Sequence, residues 1–164
     1  TCALPIYFSM FLENKALALG SLYRNEEALA CHEEILKVSP QNERSLEERV
    51  RLLGILERWD AALAAAEALV AAFPGMVKAH KRHAWALQQL KRFDEALQAM
   101  ERAIALSPGD RELWLAKSTI LSDLGRSDEA FELQSKAFDN EEFAEKYHQD
   151  SLKLFDMLNE TGQR

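Results

Sequence analysis

The chain has 164 residues, of which 48% are apolar and 29% charged, and this composition is sufficient for a soluble globular unit with a buried core. With 20 Lys and Arg against 27 Asp and Glu the net charge is −7, which argues against a protein that binds nucleic acid through a basic surface. Two cysteines are too few for a disulfide framework and favour a reducing compartment such as the cytoplasm, and the longest apolar run, residues 61–73, is too short for a membrane span.

The first residues stand apart from the rest of the chain. Residues 1–6 look like the in-frame translation of a sequencing adapter, and they lack the charged and apolar regions of a signal peptide. We therefore interpret residues 1–8 as an artefact or a frayed terminus, and we expect the natural protein to extend further upstream.

From Ser9 onward the sequence repeats every 34 residues. Three prolines follow this period, and so do four alanines: Pro40, Pro74 and Pro108, and Ala28, Ala62, Ala96 and Ala130. The period predicts four repeats, 9–42, 43–76, 77–110 and 111–144, followed by a tail over 145–164. Each repeat divides into two helices, which in the third repeat are predicted over 77–90 and 94–106.

Local signals mark the ends of these helices. An acidic residue falls where each second helix begins and complements the helix dipole: Glu26, Asp60, Asp94 and Asp128. The repeated prolines stop the second helices, and Asn42 and Asp110 are placed to cap the helices that follow. Of the four turns inside the repeats, only Gly125-Arg126-Ser127 has a glycine.

Small and large apolar residues alternate along the helices in a way that predicts close helix packing. The alanines recur where two helices must approach: Ala16, Ala28, Ala62, Ala84, Ala96, Ala103, Ala130 and Ala137. Larger residues supply the bulk around them: Leu12, Leu19, Leu46, Leu53, Leu87, Trp114 and Leu121. One hairpin cannot bury this surface alone, so we expect stability to come from stacking on neighbouring hairpins.

The pattern resembles the tetratricopeptide repeat. The matching residues are Ala84, Leu87, Ala96, Met100, Ala103 and Pro108 in the third repeat, and Trp114, Leu121, Ala130 and Ala137 in the fourth. Departures occur at His83 and Lys117, where leucine is usual, and at His32, Ala66 and Gln134, which replace an aromatic residue. The resemblance implies an all-α, right-handed superhelical solenoid of helix-turn-helix repeats. The amphipathic segment 145–164 is predicted to be its C-terminal capping helix, whereas Tyr7, Phe8 and Phe11 leave the N-terminal end without a polar cap.

Signs of catalysis are weak. The sequence has no GxGxxG, P-loop or HExxH motif, and Cys31 and His32 are adjacent on a helix, so their side chains point about 100° apart. His80 and His83 lie on one helix without further ligands at suitable spacing, and we interpret them as surface or groove histidines rather than a metal site. We predict no enzyme activity, no metal and no cofactor.

The resemblance implies a concave surface lined by the first helices. The residues mapped to this groove are Glu48, Arg51, Lys78, Lys81, Arg82, Trp85, Gln88, Gln89, Thr119 and Asp123. In the third repeat, positive charge lies beside a tryptophan, a combination suited to a ligand that has an acidic side chain next to an apolar one. The alternative is an ordinary solvent-exposed helix face, on which charged residues also cluster. In family members that clamp chaperone C-termini, Lys78 and Arg82 would match half of the clamp, but Glu13, Leu17 and Glu48 would repel or fail to bind a carboxylate.

We therefore predict a non-catalytic scaffold that binds a protein or peptide partner in this groove, and the positive charge of the third repeat favours an acidic one. A second hypothesis makes the chain the regulatory or substrate-presenting arm of a larger enzyme. A third is self-association through the N-terminal end around Phe8 and Phe11.

Overall fold

The structure, a computed structural model, describes the backbone of residues 3–138 and the side chains of residues 7–135. In this part of the chain there are eight helices and no strand. They are α1 (Ala3–Ser21), α2 (Asn25–Val38), α3 (Glu43–Ile55), α4 (Trp59–Ala72), α5 (Val77–Gln89), α6 (Phe93–Leu106), α7 (Arg111–Asp123) and α8 (Ser127–Phe138). None of these helices combines the length and the apolar character required to span a bilayer.

The helices fall into two compact units, Thr1–Pro74 and Gly75–Arg164. In the first unit, α1 packs on α2, α2 on α3 and α3 on α4. In the second unit, α5 packs on α6, α6 on α7 and α7 on α8. Each unit is thus a pair of helical hairpins in which the second helix of one hairpin lies against the first helix of the next.

The helix boundaries follow the 34-residue period. Three first helices begin at Glu43, Val77 and Arg111, the residues at which the second, third and fourth predicted repeats start. Helix α1 begins at Ala3, so residues 3–8, which we assigned to a terminus outside the repeats, have helical backbone. The predicted capping helix over 145–164 and the last residues of the fourth repeat, 139–144, lie outside the described residues.

Two of the predicted caps are formed. The side chain of Asn42 accepts a hydrogen bond of 2.8 Å from the backbone N–H of Ser45 at the start of α3. Asp110 accepts one of 2.9 Å from the N–H of Glu112 at the start of α7. Each cap satisfies one of the amide groups that a helix N-terminus leaves without an intrahelical partner.

Each of the four hairpin turns has a residue in the left-handed conformation, always at the same repeat position. The residues with positive φ are Tyr23 (59°), Glu57 (56°), Lys91 (58°) and Gly125 (84°), spaced 34 apart. The next amide, that of Arg24, Arg58, Arg92 or Arg126, donates a 2.9 Å hydrogen bond to a leucine carbonyl in the last turn of the first helix. This is the Schellman ending of a helix, in which glycine is the favoured left-handed residue.

Glycine at the other three turns should therefore stabilise the protein. The left-handed conformation costs a residue with a Cβ about 1–2 kcal/mol, and glycine avoids this cost. Glycine loses more conformational entropy on folding, however, which offsets about 0.5–1 kcal/mol of the gain. We expect Glu57→Gly and Lys91→Gly each to raise the free energy of unfolding by about 0.5 kcal/mol. Urea denaturation would measure this, with Glu57→Ala as the control that removes the same side chain without relieving the strain. An equal gain from alanine would contradict the explanation.

The residues that the period selects lie in the core. The seven predicted alanines with described side chains are all buried, at 3% exposure or less: Ala16, Ala28, Ala62, Ala84, Ala96, Ala103 and Ala130. The seven larger residues predicted around them are also buried. The prediction of close packing around small side chains is thus confirmed within each unit.

The prediction for His80 was wrong. This histidine is 4% exposed, so it is a core residue and not a surface or groove residue, whereas His83 is half-buried. The reason lies in the period, because His80 occupies the repeat position of Leu12, Leu46 and Trp114, all of which are buried. Its place in the core is set by register rather than by the polarity of the imidazole.

Candidate functional site

Six of the predicted groove residues share one face of α5. Lys78, Lys81, Arg82, Trp85, Gln88 and Gln89 follow the three- and four-residue spacing that aligns side chains along a helix. Lys78 and Gln89 are exposed, and the other four are half-buried. The face therefore combines accessible positive charge with a partly covered indole ring.

Two contacts join this face of α5 to α7. The Lys81 Nζ donates to Glu112 Oε2 at 3.0 Å, and the amide of Gln88 donates to the carboxylate of Asp123. Since Asp123 and Thr119 are one turn apart on α7, the predicted residues of the two helices lie on one surface. We call these eight residues, Lys78, Lys81, Arg82, Trp85, Gln88, Gln89, Thr119 and Asp123, the α5–α7 surface.

The α5–α7 surface differs in one respect from the prediction. Lys81 was expected to offer its charge to a ligand, but it already forms an ion pair with Glu112, which the sequence analysis did not single out. The other two cations of this surface are Lys78, which is exposed, and Arg82, which is half-buried. They lie four residues apart, and Arg82 is three residues before Trp85.

The contact between Lys81 and Glu112 has a counterpart in the first unit. Arg44 Nη1 lies 3.2 Å from Glu13 Oε2, and these two residues occupy the same repeat positions as Glu112 and Lys81. The charges are exchanged, since the acid is on the earlier helix in the first unit and on the later helix in the second. The 34-residue period shows that residues of opposite charge occupy these two positions in both units, but it does not show that they are in contact.

The other two predicted groove residues, Glu48 and Arg51, lie on α3 in the first unit. Arg51 donates from Nε (2.9 Å) and Nη2 (2.7 Å) to Glu48 Oε2. Both residues line a pocket of about 350 Å³ between α1, α2 and α3, whose wall also includes Glu13, Leu17 and His32. Arg44 lines it as well, so the pocket has two acidic and two basic side chains.

His32 forms the buried side of this pocket. It is 4% exposed, and its Nδ1 is 3.2 Å from the Ser45 hydroxyl on α3. Burial lowers the pKa of His32 below its ordinary value, because the charged imidazolium loses hydration. The carboxylates of Glu48 and Glu13 oppose this shift, and the guanidinium groups of Arg44 and Arg51 reinforce it.

This lowered pKa predicts acid sensitivity. The unfolded chain takes up a proton on His32 as the pH falls through about 6.5, whereas the folded protein does so only at lower pH, so stability decreases over that interval. We expect the double substitution His32→Met with Ser45→Ala to flatten the dependence of unfolding free energy on pH there. Methionine is the natural residue at this repeat position in α6, as Met100.

Urea denaturation across a pH series would measure this effect. The control is His83→Gln, which removes a histidine that is less buried than His32; an equal flattening by this variant would show that the buried position of His32 is not the cause. A parent protein with no loss of stability below the ordinary histidine pKa would contradict the prediction.

The helical repeats described above have relatives among known proteins. A family model described as tetratricopeptide repeat matches residues 48–111 and 81–143, which together span more than half of the chain. No curated protein sequence matches it.

Several solved structures are similar. MamA from Desulfovibrio magneticus RS-1 is 21% identical, with a TM-score of 0.73 over 82% of this chain and 76% of that one. The first tetratricopeptide domain of human RPAP3 is also 21% identical, with a TM-score of 0.66 over 75% of this chain and 97% of that one. A structure of the first such domain of Spaghetti (RPAP3) bound to the HSP90 peptide SRMEEVD is 22% identical, with a TM-score of 0.65 over 71% and 93%. These similarities show an all-α fold of helical repeats, the class that the sequence predicted.

Proposed function

Because the chain belongs to the tetratricopeptide repeat family, we propose that it is a non-catalytic scaffold that binds a peptide segment of a partner protein on the α5–α7 surface. The observation that supports this proposal is the pair of contacts from Lys81 to Glu112 and from Gln88 to Asp123. They bring the charged and aromatic residues of two first helices together on one side of the second unit. A peptide lying across α5 and α7 would meet all of them.

The chemistry of the surface favours an acidic peptide with an apolar side chain. Arg82 offers a planar guanidinium suited to a carboxylate, and Lys78 adds a second positive charge. Trp85, half-buried beside them, would bury an aromatic or aliphatic side chain of the ligand, as tryptophan does at the centres of protein interfaces. The ion pair of Lys81 and Glu112 joins the two helices at the edge of this surface.

The test uses a labelled acidic peptide that contains one phenylalanine, and a second peptide in which lysine replaces each acid. We expect the acidic peptide to bind more tightly and to weaken with added salt. Arg82→Glu and Trp85→Ala should each reduce its affinity by about tenfold or more, as for a residue at the centre of an interface. Fluorescence anisotropy would measure both.

The matched control is Arg102→Glu, which reverses an exposed arginine on α6. It changes the net charge by the same amount as Arg82→Glu and should leave the affinity nearly unchanged. Equal losses from the two charge reversals would show that only the overall charge matters, and the proposed site would then be wrong.

We propose that the pocket of the first unit does not bind the peptide found on the RPAP3 domain. In the pocket of the first unit Glu13 and Glu48 provide carboxylates, which would repel the acidic residues and C-terminal carboxylate of SRMEEVD. SRMEEVD is itself acidic and could bind the α5–α7 surface, so the assay uses the Arg82→Glu variant, to which this peptide is expected to show no saturable binding. Saturable binding that disappears when its C-terminus is amidated would contradict this part of the proposal.

A further inference from the structure

The pocket of the first unit is negative on its buried side, although its two acids and two arginines cancel in formal charge. The acids are the less exposed members of the two ion pairs, with side-chain exposures of 20% for Glu13 and 30% for Glu48, against 59% for Arg44 and 37% for Arg51. At His32, on the buried side, the two acids raise the pKa more than the two arginines lower it. The net field of these four charges at the ring therefore favours a cation.

His32 leaves one ring nitrogen for a molecule in the pocket. The ring lines the pocket and is 4% exposed, and its Nδ1 is 3.2 Å from the Ser45 hydroxyl. Nε2 is thus the nitrogen available to a ligand. Because burial lowers the pKa of His32, the ring is neutral near pH 7 and does not repel a positive charge.

Much of the remaining wall is small or apolar. Ala16 and Ala28 are 3% and 2% exposed, Leu17 and Leu52 also line the pocket, and a Cβ added at Gly20 would contact no other element within 4 Å. The pocket of about 350 Å³ therefore has room for an alkyl chain. Long basic side chains lay their methylene groups along apolar surfaces of this kind.

The second unit does not repeat this polarity. Lys81 and Met100 stand in place of Glu13 and His32, 68 residues later. The negative buried side is consequently a property of the residues in the first unit and not of the helical repeat. The pocket shares no residue with the α5–α7 surface, so its ligand is independent of the acidic peptide proposed there.

We infer that this pocket binds a lysine side chain of a partner peptide, with the ammonium group in contact with Glu13 and Glu48 and the alkyl chain along the apolar wall. A carboxylate accepts several hydrogen bonds, so the ammonium can share Glu13 with Arg44. When the Nδ1–H of His32 donates to the Ser45 hydroxyl, Nε2 accepts a further hydrogen bond from the ligand. An acidic side chain would meet the two carboxylates instead and is excluded.

An NMR titration of the full chain tests this inference with a glycine-serine peptide, capped at both ends, that carries one lysine. We expect saturable shifts of the amide signals of Ala16, Gly20 and Ala28. Norleucine in place of the lysine keeps an alkyl chain without the charge and should lower the affinity by about tenfold or more. Equal affinity for the norleucine peptide, or shifts confined to the second unit, would overturn the inference.

Two variants locate the bound lysine. Glu13→Gln combined with Glu48→Gln should reduce the affinity by about tenfold or more, whereas Glu33→Gln combined with Glu34→Gln, which removes the same charge from the exposed side of α2, should leave it within about twofold. Equal losses would show attraction to the overall negative charge and refute the site. Gly20→Leu keeps both acids, favours helix and narrows the pocket, so it should also abolish binding while circular dichroism shows a folded protein. Unchanged binding to this folded variant would place the lysine outside the pocket.

Discussion

Replacement of Trp114 by alanine is expected to lower the free energy of unfolding by about 3–5 kcal/mol, the usual cost of removing a buried aromatic side chain. Trp114 is 5% exposed in the core of the second unit. Its Nε1 also donates a 2.8 Å hydrogen bond to the carbonyl of Pro108, in the segment that joins α6 to α7. One side chain therefore fills the core and fixes the turn that aligns two repeats.

Two further substitutions separate these contributions in urea denaturation monitored by far-UV circular dichroism. Trp114→Phe keeps most of the apolar volume and loses the hydrogen bond, so it should cost about 1–3 kcal/mol. Trp85→Ala removes a tryptophan that is only half-buried, and its cost should be clearly smaller than that of Trp114→Ala. If alanine cost no more than phenylalanine at position 114, the core role of this residue would be refuted.

The sequence was sufficient to predict the core at positions where the residue type itself indicates burial. The recurring alanines and leucines are apolar, and a period of 34 residues leaves them only one consistent register. His80 was misassigned because its polarity was weighed and its repeat position was not. Had the position of Leu12, Leu46 and Trp114 been extended to residue 80, the same reasoning would have placed the imidazole in the core.

The turns show a different limit. Gly125 identified one left-handed residue, but Tyr23, Glu57 and Lys91 have no side-chain preference for that conformation. Their backbone is imposed by the packing of the two helices on either side, so composition alone does not reveal it. The repeat spacing does, once a single member of the series is known.

For the α5–α7 surface, the sequence predicted which residues share one face of α5 but not which residues of α5 and α7 are in contact. Residues on α5 could be grouped from their spacing because a helix has a fixed period. The partner of Lys81 depends on how far α7 is shifted along α5, and this shift is decided by the packing of apolar residues between the hairpins. Glu112, an exposed residue in the first turn of α7, carried no separate signal.

Replacement of Ala62 by leucine tests the packing on which the repeats depend. Ala62 is fully buried in α4, and a larger side chain there must displace its neighbours, which typically costs about 1–3 kcal/mol. The matched control is Ala64→Leu on the same helix, where alanine is exposed. Leucine and alanine both favour helix, so this change should stay within about 0.5 kcal/mol.

The same comparison applies in the second unit, where Ala96 is fully buried at the corresponding position of α6. Ala96→Leu should therefore destabilise the protein in the same direction as Ala62→Leu, measured as the shift of the urea midpoint at constant slope. If the two buried sites tolerated leucine as well as position 64 does, small side chains would not be a requirement of the helix crossings. The 34-residue recurrence of alanine would then need another cause. If the helix crossings accepted larger side chains at these positions, packing would give no physical reason for alanine to recur there.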